Sequence, residues 1–494
     1  MRTNLTDILG SPAGRSGAVD EETWSAIAQC LAEGLETLLD LWGSAGGVHM
    51  ALLEPGSAPF VVNLACSEGR FPSVGASHPP AIRLERAIRD LFGYEADGLK
   101  DTRPWLDHGR WGVRHPLGEC VVPSQVMPPY TFLPANGEGL HQIAVGPVHA
   151  GIIEPGHFRF SVNGEAVARL EERLGYVHKG IEGLMRGADI DRAARIAGRI
   201  SGDSALAYGF AFARAVESAL GIAVPPRARW LRALMAELER MANHLGDIGA
   251  ICNDAAFALM LAHCGILRER VLRVADSCFG HRLMRDVIVP GGVAVDLTKA
   301  GADEIGALVQ EIGRRFPQLI RLYDETASLQ DRTVGTGVLH TELARRWPVG
   351  GYVGRASGRD FDARRNCAYP PYDTLRFTVP VLREGDVNAR VWIRILEVEQ
   401  SLDLVGQLLE GLPDGAIRNP FVPGSGEGMG LVEGFRGEIF AHVRLDGGRV
   451  AACRLRDPSW FQWPLLEAVI ENNIVADFPL CNKSFNCSYS GHDL

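Results

Sequence analysis

The sequence predicts an α+β protein: a small N-terminal α/β domain over residues 1–120, a linker over 121–139, and a mainly α-helical domain with antiparallel β-hairpins over 140–494. Three observations carry this. Before residue 120, short apolar runs bounded by Gly, Pro and Ser lie between segments of helical period. A Pro-rich stretch without any period follows. Beyond it, long segments with a 3.6-residue apolar repeat dominate, interrupted by paired alternating runs.

Taken in order, Trp24, Ile27, Leu31, Leu35 and Leu38 fall at helical spacing and predict a helix over 20–42, and AIRLERAIRDLFG at 81–93 predicts a second. GVHMALLE and FVVNLAC between them read as strands. VVPSQVMPPYTFLPANGEG at 121–139 is the linker. Phe158, Phe160 and Val162 alternate with polar residues up to Asn163-Gly164, the pair a type I′ turn favours, and Ala166, Ala168 and Leu170 resume the alternation. This hairpin runs to about Leu174, with a helix taking over near His178.

The clearest helix is PPRARWLRALMAELERMANHLGDIGA, opened by Pro225 and Pro226. Leu231, Leu234, Met235, Leu238, Met241 and Leu245 share one face, and Glu237, Arg240, His244 and Asp247 share the other. On pattern alone that polar face is a solvated one. Pro290-Gly291 marks a turn, Asp446-Gly447 marks another hairpin, and GSGEGMG at 424–430 reads as a flexible loop. No strand leads into those glycines and no Lys-Ser/Thr follows them, so they are not a phosphate cradle.

Composition excludes several functions. A net charge of −10 disfavours nucleic acid and anionic membrane surfaces as partners. The start MRTNLTDILGSPAG has no apolar segment behind a basic one, so no signal peptide is expected, and the apolar stretch 205–224 is broken by Arg214 and Glu217. Ten cysteines are spread singly, with no Cys-x-x-Cys, and read as buried thiols.

Two segments could carry chemistry. GPVHAGIIEPGHFRF at 146–160 gathers His149, Glu154 and His157 in one loop, where imidazoles and a carboxylate could relay protons; on pattern alone a structural loop is the favoured reading. RISGDSALAY at 199–208 places Ser201 and Ser204 at i and i+3, the frame of a metal clip without its thiols.

These two segments, with GYVHKGIEGLMRG, ELERMANHLGDIG and GHRLMRDVIVPGGV in this order, resemble one superfamily. It comprises the large subunit of formate-hydrogenlyase- and hydrogenase-4-type nickel-iron hydrogenases and the homologous quinone-cavity subunit of respiratory complex I, the 49 kDa type. GTGVLH at 335–340 and GRASGRDFDARRNCAYPPYD at 354–373 extend the resemblance over 140–494, and residues 78–111 look like complex I's adjoining peripheral subunit, fused in front.

The resemblance implies roles. In the nickel-iron enzymes the first segment is Arg-Ile-Cys-Gly-x-Cys-x-x-Ala-His; this chain has Ser201, Ser204 and, for the histidine, Tyr208. The second pair of ligand positions falls on Ser488 and Gly491, with Cys487 one residue away. Nickel and iron of this type need soft thiolates, so the expectation is that this chain holds no metal and no other cofactor. In complex I the same space lies beside an iron-sulfur cluster held by a partner and receives a quinone. His149 or His157 then corresponds to the histidine that donates to quinone, with Tyr208 in the same cavity, and Glu154 to the hydrogenase glutamate that passes protons. His178 and Lys179 match the His-Arg beside the partner's cluster. Glu237, Arg240, His244 and Asp247 match a face that is buried in the family, which makes them a charge network. Asp203, desolvated between the two serines and facing Glu154, is a candidate proton carrier.

The expected protein is therefore a subunit of a complex-I-like or hydrogenase-4-like oxidoreductase, on the cytoplasmic side of the bacterial inner membrane through its partners. Those partners would be an iron-sulfur small subunit like that of complex I, a ferredoxin-like subunit and membrane antiporter-like subunits. The alternatives are a structural bridge with a degenerate cavity and a hydrogenase with unusual ligands.

Overall fold

A computed structural model describes residues 16–54, 57–119, 121–123 and 126–494. In the N-terminal domain β1 (Ser16–Val19) is followed by α1 (Glu21–Ala32), β2 (Thr37–Ser44), β3 (Gly47–Leu53), β4 (Phe60–Ala65) and α2 (Ile82–Phe92). The strands form one sheet in the order β1-β4-β3-β2, antiparallel except for the β1–β4 pair. Asp20 caps α1 by accepting from the Thr23 N–H at 2.8 Å.

The helix expected over 20–42 stops at Ala32. Gly34 turns the chain at φ +73°, and Leu38 to Trp42 belong to β2 instead. The misreading has a physical cause: β2 is buried on both faces, so its apolar residues do not alternate. Leu38 and Leu41 pack with Trp24, Ile27 and Leu31 of α1. Leu39 and Trp42 pack on the opposite side against Met429, Leu431 and Phe440 of the second domain.

The second domain opens with an antiparallel sheet of β5 (Leu140–Val145), β6 (His157–Asn163) and β7 (Ala166–Arg173), β6 in the middle. The hairpin is where the alternation predicts it, but Asn163 pairs with Ala166, so Gly164-Glu165 form the turn, one residue later than expected. No long helix starts at His178; two short ones follow, Ile181–Met185 and Ile190–Ala197. The helical body is α3 (Ala205–Leu220), α4 (Pro226–Asp254), α5 (Ala258–Phe279), α6 (Lys299–Glu325) and α7 (Val387–Glu410), with α4 packed against both α5 and α7. A meander of β8 (Gly426–Glu433), β9 (Glu438–Asp446) and β10 (Arg449–Arg456) follows, then α8 (Ser459–Val469), α9 (Phe478–Phe485) and α10 (Tyr489–Asp493). Its β9–β10 turn is Gly447-Gly448, both with positive φ, again one residue later than predicted.

GSGEGMG is not a flexible loop: Gly426, Gly428 and Gly430 lie in β8, under α3. A Cβ at these positions would come within 2.2–2.3 Å of backbone atoms of Ala219, Ala219 and Ala211 in turn. The glycines let helix and strand backbones touch. The segment expected to be a linker lacks regular structure over 126–139 but is packed down. The Leu133 N–H donates to Glu171 at 2.7 Å, and Arg86 donates to the Tyr130 hydroxyl at 3.1 Å. Among the described residues, no helix is long and apolar enough to cross a membrane.

Candidate functional site

The four positions that match metal ligands converge, although 284 residues separate Ser204 from Ser488 in the chain. Ser201, in extended backbone before α3, places its hydroxyl 3.2 Å from that of Ser488, which caps α10 by accepting from the Gly491 N–H at 2.9 Å. Ser201 and Ser204 both donate to one oxygen of Asp203, at 2.6 and 3.2 Å. The other Asp203 oxygen takes the Arg436 guanidinium at 2.5 Å, and Arg436 also donates to Ser204 and to the Asn486 carbonyl. Beside them the buried Tyr208 hydroxyl donates to Asp457 at 2.6 Å. Burial and the Asp457 charge both push that phenol far above its ordinary pKa, so it stays protonated as the donor.

This donor set does not fit a nickel-iron centre. Three hydroxyls and a hydrogen replace four thiolates, and the space is already used: a Cβ on Gly491 would lie 2.5 Å from an Asp457 oxygen and 2.8 Å from the Tyr208 hydroxyl. Cys487, one residue from Ser488, is buried, burial raises its thiol well above its usual pKa, and its Sγ lies 4.0 Å from the Gln462 side-chain oxygen. Among the described residues, no group of three His, Cys, Asp or Glu side chains is arranged to hold a metal ion.

Asp203 departs from the desolvated carboxyl expected. Burial alone would raise its pKa, but Arg436 and the two serines outweigh it, and the carboxyl lies below its usual range. Nor do its recorded partners include Glu154, whose carboxylate accepts instead from the Ser490 N–H at 2.9 Å. His149 approaches Tyr489 at 3.3 Å, so the 146–157 loop does rest on the helix that carries Ser490 and Gly491. His157 is turned another way: it donates to the Gly146 carbonyl at 3.4 Å, packs on Phe132, and leaves a buried ring nitrogen without a partner. Lys179 reaches back to the Ile200 carbonyl at 2.7 Å, next to Ser201, while His178 donates to the Asp493 carbonyl.

The polar face of α4 is buried, as the resemblance implies and the helical pattern alone does not. Glu237, Arg240 and His244 are each at most 1% exposed. Glu237 accepts from Arg364, Tyr372 and Ser401 at 2.7–2.9 Å. His244 donates to Glu397 at 2.7 Å, and Glu397 takes Arg355, which also holds Glu433. Burial alone would raise the Glu397 carboxyl, yet Arg355 and His244 drive it well below its ordinary range. Asp247 belongs to a second group: it pairs with Arg394 at 3.1 Å and accepts from Asn486, which links it through Arg436 to Asp203.

Sequence reasoning missed Arg436, Asp457, Arg355, Arg364 and Glu397. It also missed Glu239, whose carboxyl accepts from Leu206 and Ala207 at the start of α3 and is pushed up to about 8 by burial. Only Asp457-Pro458, an Asp-Pro pair preceding the last helices, carried a local signal.

Comparison with known proteins follows the same division. Residues 254–422 match the model of the respiratory-chain NADH dehydrogenase 49 Kd subunit, and residues 179–246 that of nickel-dependent hydrogenase. Formate hydrogenlyase subunit 5 of Escherichia coli K12 is 30% identical over 446 residues, covering 87% of this chain and 78% of the relative. Hydrogenase-4 component G of the same organism is 30% identical over 436 residues, covering 86% and 76%. A chain from the membrane-bound sulfane sulfur reductase, an archaeal respiratory membrane complex, superposes with a TM-score of 0.68 at 26% identity, covering 72% of this chain and 99% of that one. With the ligand frame, the buried α4 face and these matches in agreement, the chain belongs to the family that joins hydrogenase large subunits to the 49 kDa subunit of respiratory-chain NADH dehydrogenase.

Proposed function

We propose that this chain works without a nickel-iron centre, as the subunit of a complex-I-like or hydrogenase-4-like oxidoreductase that forms a cavity beside a partner's iron-sulfur cluster. There it serves electron transfer to quinone or another acceptor, with coupled proton movement. The observation that carries the reading is the rebuilt ligand frame: Ser201 bonds to Ser488 and to Asp203, Ser204 bonds to Asp203, and Tyr208–Asp457 fills the fourth position. His149 and Glu154 beside that frame suit proton handling, since both approach the helix bearing Gly491. The sulfane sulfur reductase relative favours an acceptor other than protons and leaves a quinone as one choice among acceptors.

A second reading, a structural bridge between electron-transfer and membrane subunits, is supported by the Asp203–Arg436 pair, which closes the frame. One experiment separates them: metal and quinone analysis of the intact complex, purified from membranes through a tag on this chain. Iron without nickel, together with bound quinone or acceptor turnover lost in His149→Ala, His157→Ala or Glu154→Gln, supports the active cavity. Turnover indifferent to all three supports the bridge. Stoichiometric nickel overturns both.

A further inference from the structure

A cleft of about 200 Å³ lies between α3, the first turns of α4 and Tyr369, and it shares no residue with the serine frame. Its charged lining is uneven: Arg214, Arg229 and Arg232 stand there with a single carboxylate, Glu217. That carboxylate is already engaged, since Arg232 donates to both its oxygens, at 2.5 and 3.0 Å, and the Gly291 N–H adds a third bond at 2.9 Å. Arg214 is held in place, with its guanidinium 4.2 Å over the Tyr369 ring and one N–H on the Leu431 carbonyl at 3.1 Å. Arg229 is different: it is partly buried, yet among the described residues its guanidinium has no hydrogen bond, ion pair or ring contact. A wider groove of about 770 Å³ adjoins the cleft and shares Arg214, Glu217 and Arg229, and the further carboxylate there, Glu427, accepts from His442 at 2.8 Å.

The same place holds the N-terminus of α4, between Val224 and Arg229, which both line the cleft. This 29-residue helix starts with neither a capping side chain nor an acidic residue in its first turn, so its positive end lacks the anion that such an end favours. Guanidiniums gathered in a partly buried space without a matching anion repel one another and lose hydration, and a bound anion would relieve both. In a chain of net charge −10 this local excess of cations is a marked departure. The remaining walls are apolar, with Phe210, Ile222 and Val224 among them.

We propose that this cleft binds a small organic anion, a monocarboxylate with a compact apolar body. The carboxylate would sit between the guanidiniums of Arg229 and Arg214, and the body would lie against Ile222 and Val224. A guanidinium presents its N–H groups as a planar fork that a carboxylate matches with two parallel bonds, and such charge-assisted bonds are the strong ones. Arg229 has its fork unused, whereas the Arg232 fork is spent on Glu217. The volume suits a single ring or a branched chain, which the apolar walls would take out of water. The proposal does not depend on whether the serine frame is active.

The test uses the intact complex. 4-Azidobenzoate, which carries the carboxylate and inserts into neighbouring bonds on illumination, is the probe, and mass spectrometry locates the adducts. Adducts are expected in the peptides that contain Ile222, Val224 or Tyr369. Excess benzoate should reduce them roughly tenfold or more. At the same concentration benzamide, which has the shape without the charge, and inorganic phosphate, which has charge without a ring, should each reduce them less than about twofold. Arg229→Gln removes both the charge and the fork from a side chain that holds no neighbour, so the complex should assemble while the adducts fall roughly tenfold or more. Absence of adducts in these peptides, undiminished adducts in an assembled Arg229→Gln complex, or competition by benzamide equal to that by benzoate would each overturn the proposal. Phosphate competing as strongly as benzoate would overturn the requirement for an apolar body. The competition arms use the unaltered complex, so they decide even where Arg229→Gln fails to assemble.

Discussion

Two buried polar regions lie one helix apart, and they are built in opposite ways. The network on α4 gathers full charges from distant elements, Glu237 with Arg364 and Glu397 with Arg355, and the His244 imidazole donates to Glu397; all are at most 1% exposed. The frame at the start of α3 is made mainly of neutral hydroxyls around a single ion pair, Asp203–Arg436, whose carboxylate is 31% exposed. In the network no charge can be removed without stranding another in a low-dielectric interior. In the frame, the hydroxyls of Ser201, Ser204 and Ser488 each donate and accept, so no buried charge depends on them alone. The side chains of the frame can thus vary more freely than the scaffold behind them, since only the scaffold is held by mutual desolvation.

That contrast makes predictions of decreasing size. Glu397→Ala removes the acceptor that Arg355 and His244 share, leaving Arg355 to Glu433 and Asp362 and His244 with none, and should destabilise the purified chain by about 3–5 kcal/mol in urea unfolding. A loss below about 1 kcal/mol would show that the network is not mutually dependent. Gly491→Ala forces a methyl against Asp457 and Tyr208 and should cost about 1–3 kcal/mol; a neutral result would mean that the fourth ligand position is still open. Tyr208→Phe removes one donor to Asp457, which keeps the Ser459 N–H at 2.8 Å, and should cost roughly 1–2 kcal/mol by thermal denaturation.

The smallest effect belongs to the exposed edge of the frame, where Asp203→Asn should cost about 1 kcal/mol at pH 7. Since the folded carboxyl lies below its unfolded value of about 3.9, its contribution is fully present above that pH and fades as the pH falls through the folded value. Unfolding curves of wild type and Asp203→Asn should therefore begin to approach each other only below about pH 4 and meet below the folded value. Curves that converge near neutrality would mean that Arg436 does not control the charge.

What the sequence made legible follows from how local each signal is. The hairpins at 157–173 and 438–456 and the helix at 226–254 carry their period within themselves. β2 did not, because Leu39 and Trp42 answer to β8 and β9, nearly four hundred residues away, and this erases the alternation. The glycines of β8 looked like a loop because their purpose, contact with α3, lies in another segment. At the site, Ser201, Ser204, Ser488 and Gly491 were readable because they keep the spacing of the ligand motifs in the family this chain resembles. Arg436 and Asp457 were not, since a lone Arg or Asp near a strand end gives no indication of a partner some two hundred and fifty residues earlier.

The contact between β2 and the β8–β10 meander has a consequence for assembly. Arg454 grips Asp40 at 2.8 and 3.1 Å, and Arg456 donates to the Leu39 carbonyl, so the first domain is seated on the sheet that supplies Asp457. Carried on two polypeptides, such an interface would fill only as fast as the halves meet and only as far as their expression levels match. On one polypeptide it closes in a first-order step, at an effective concentration set by the connecting segment. A single chain thereby fixes the ratio of its two domains at one to one.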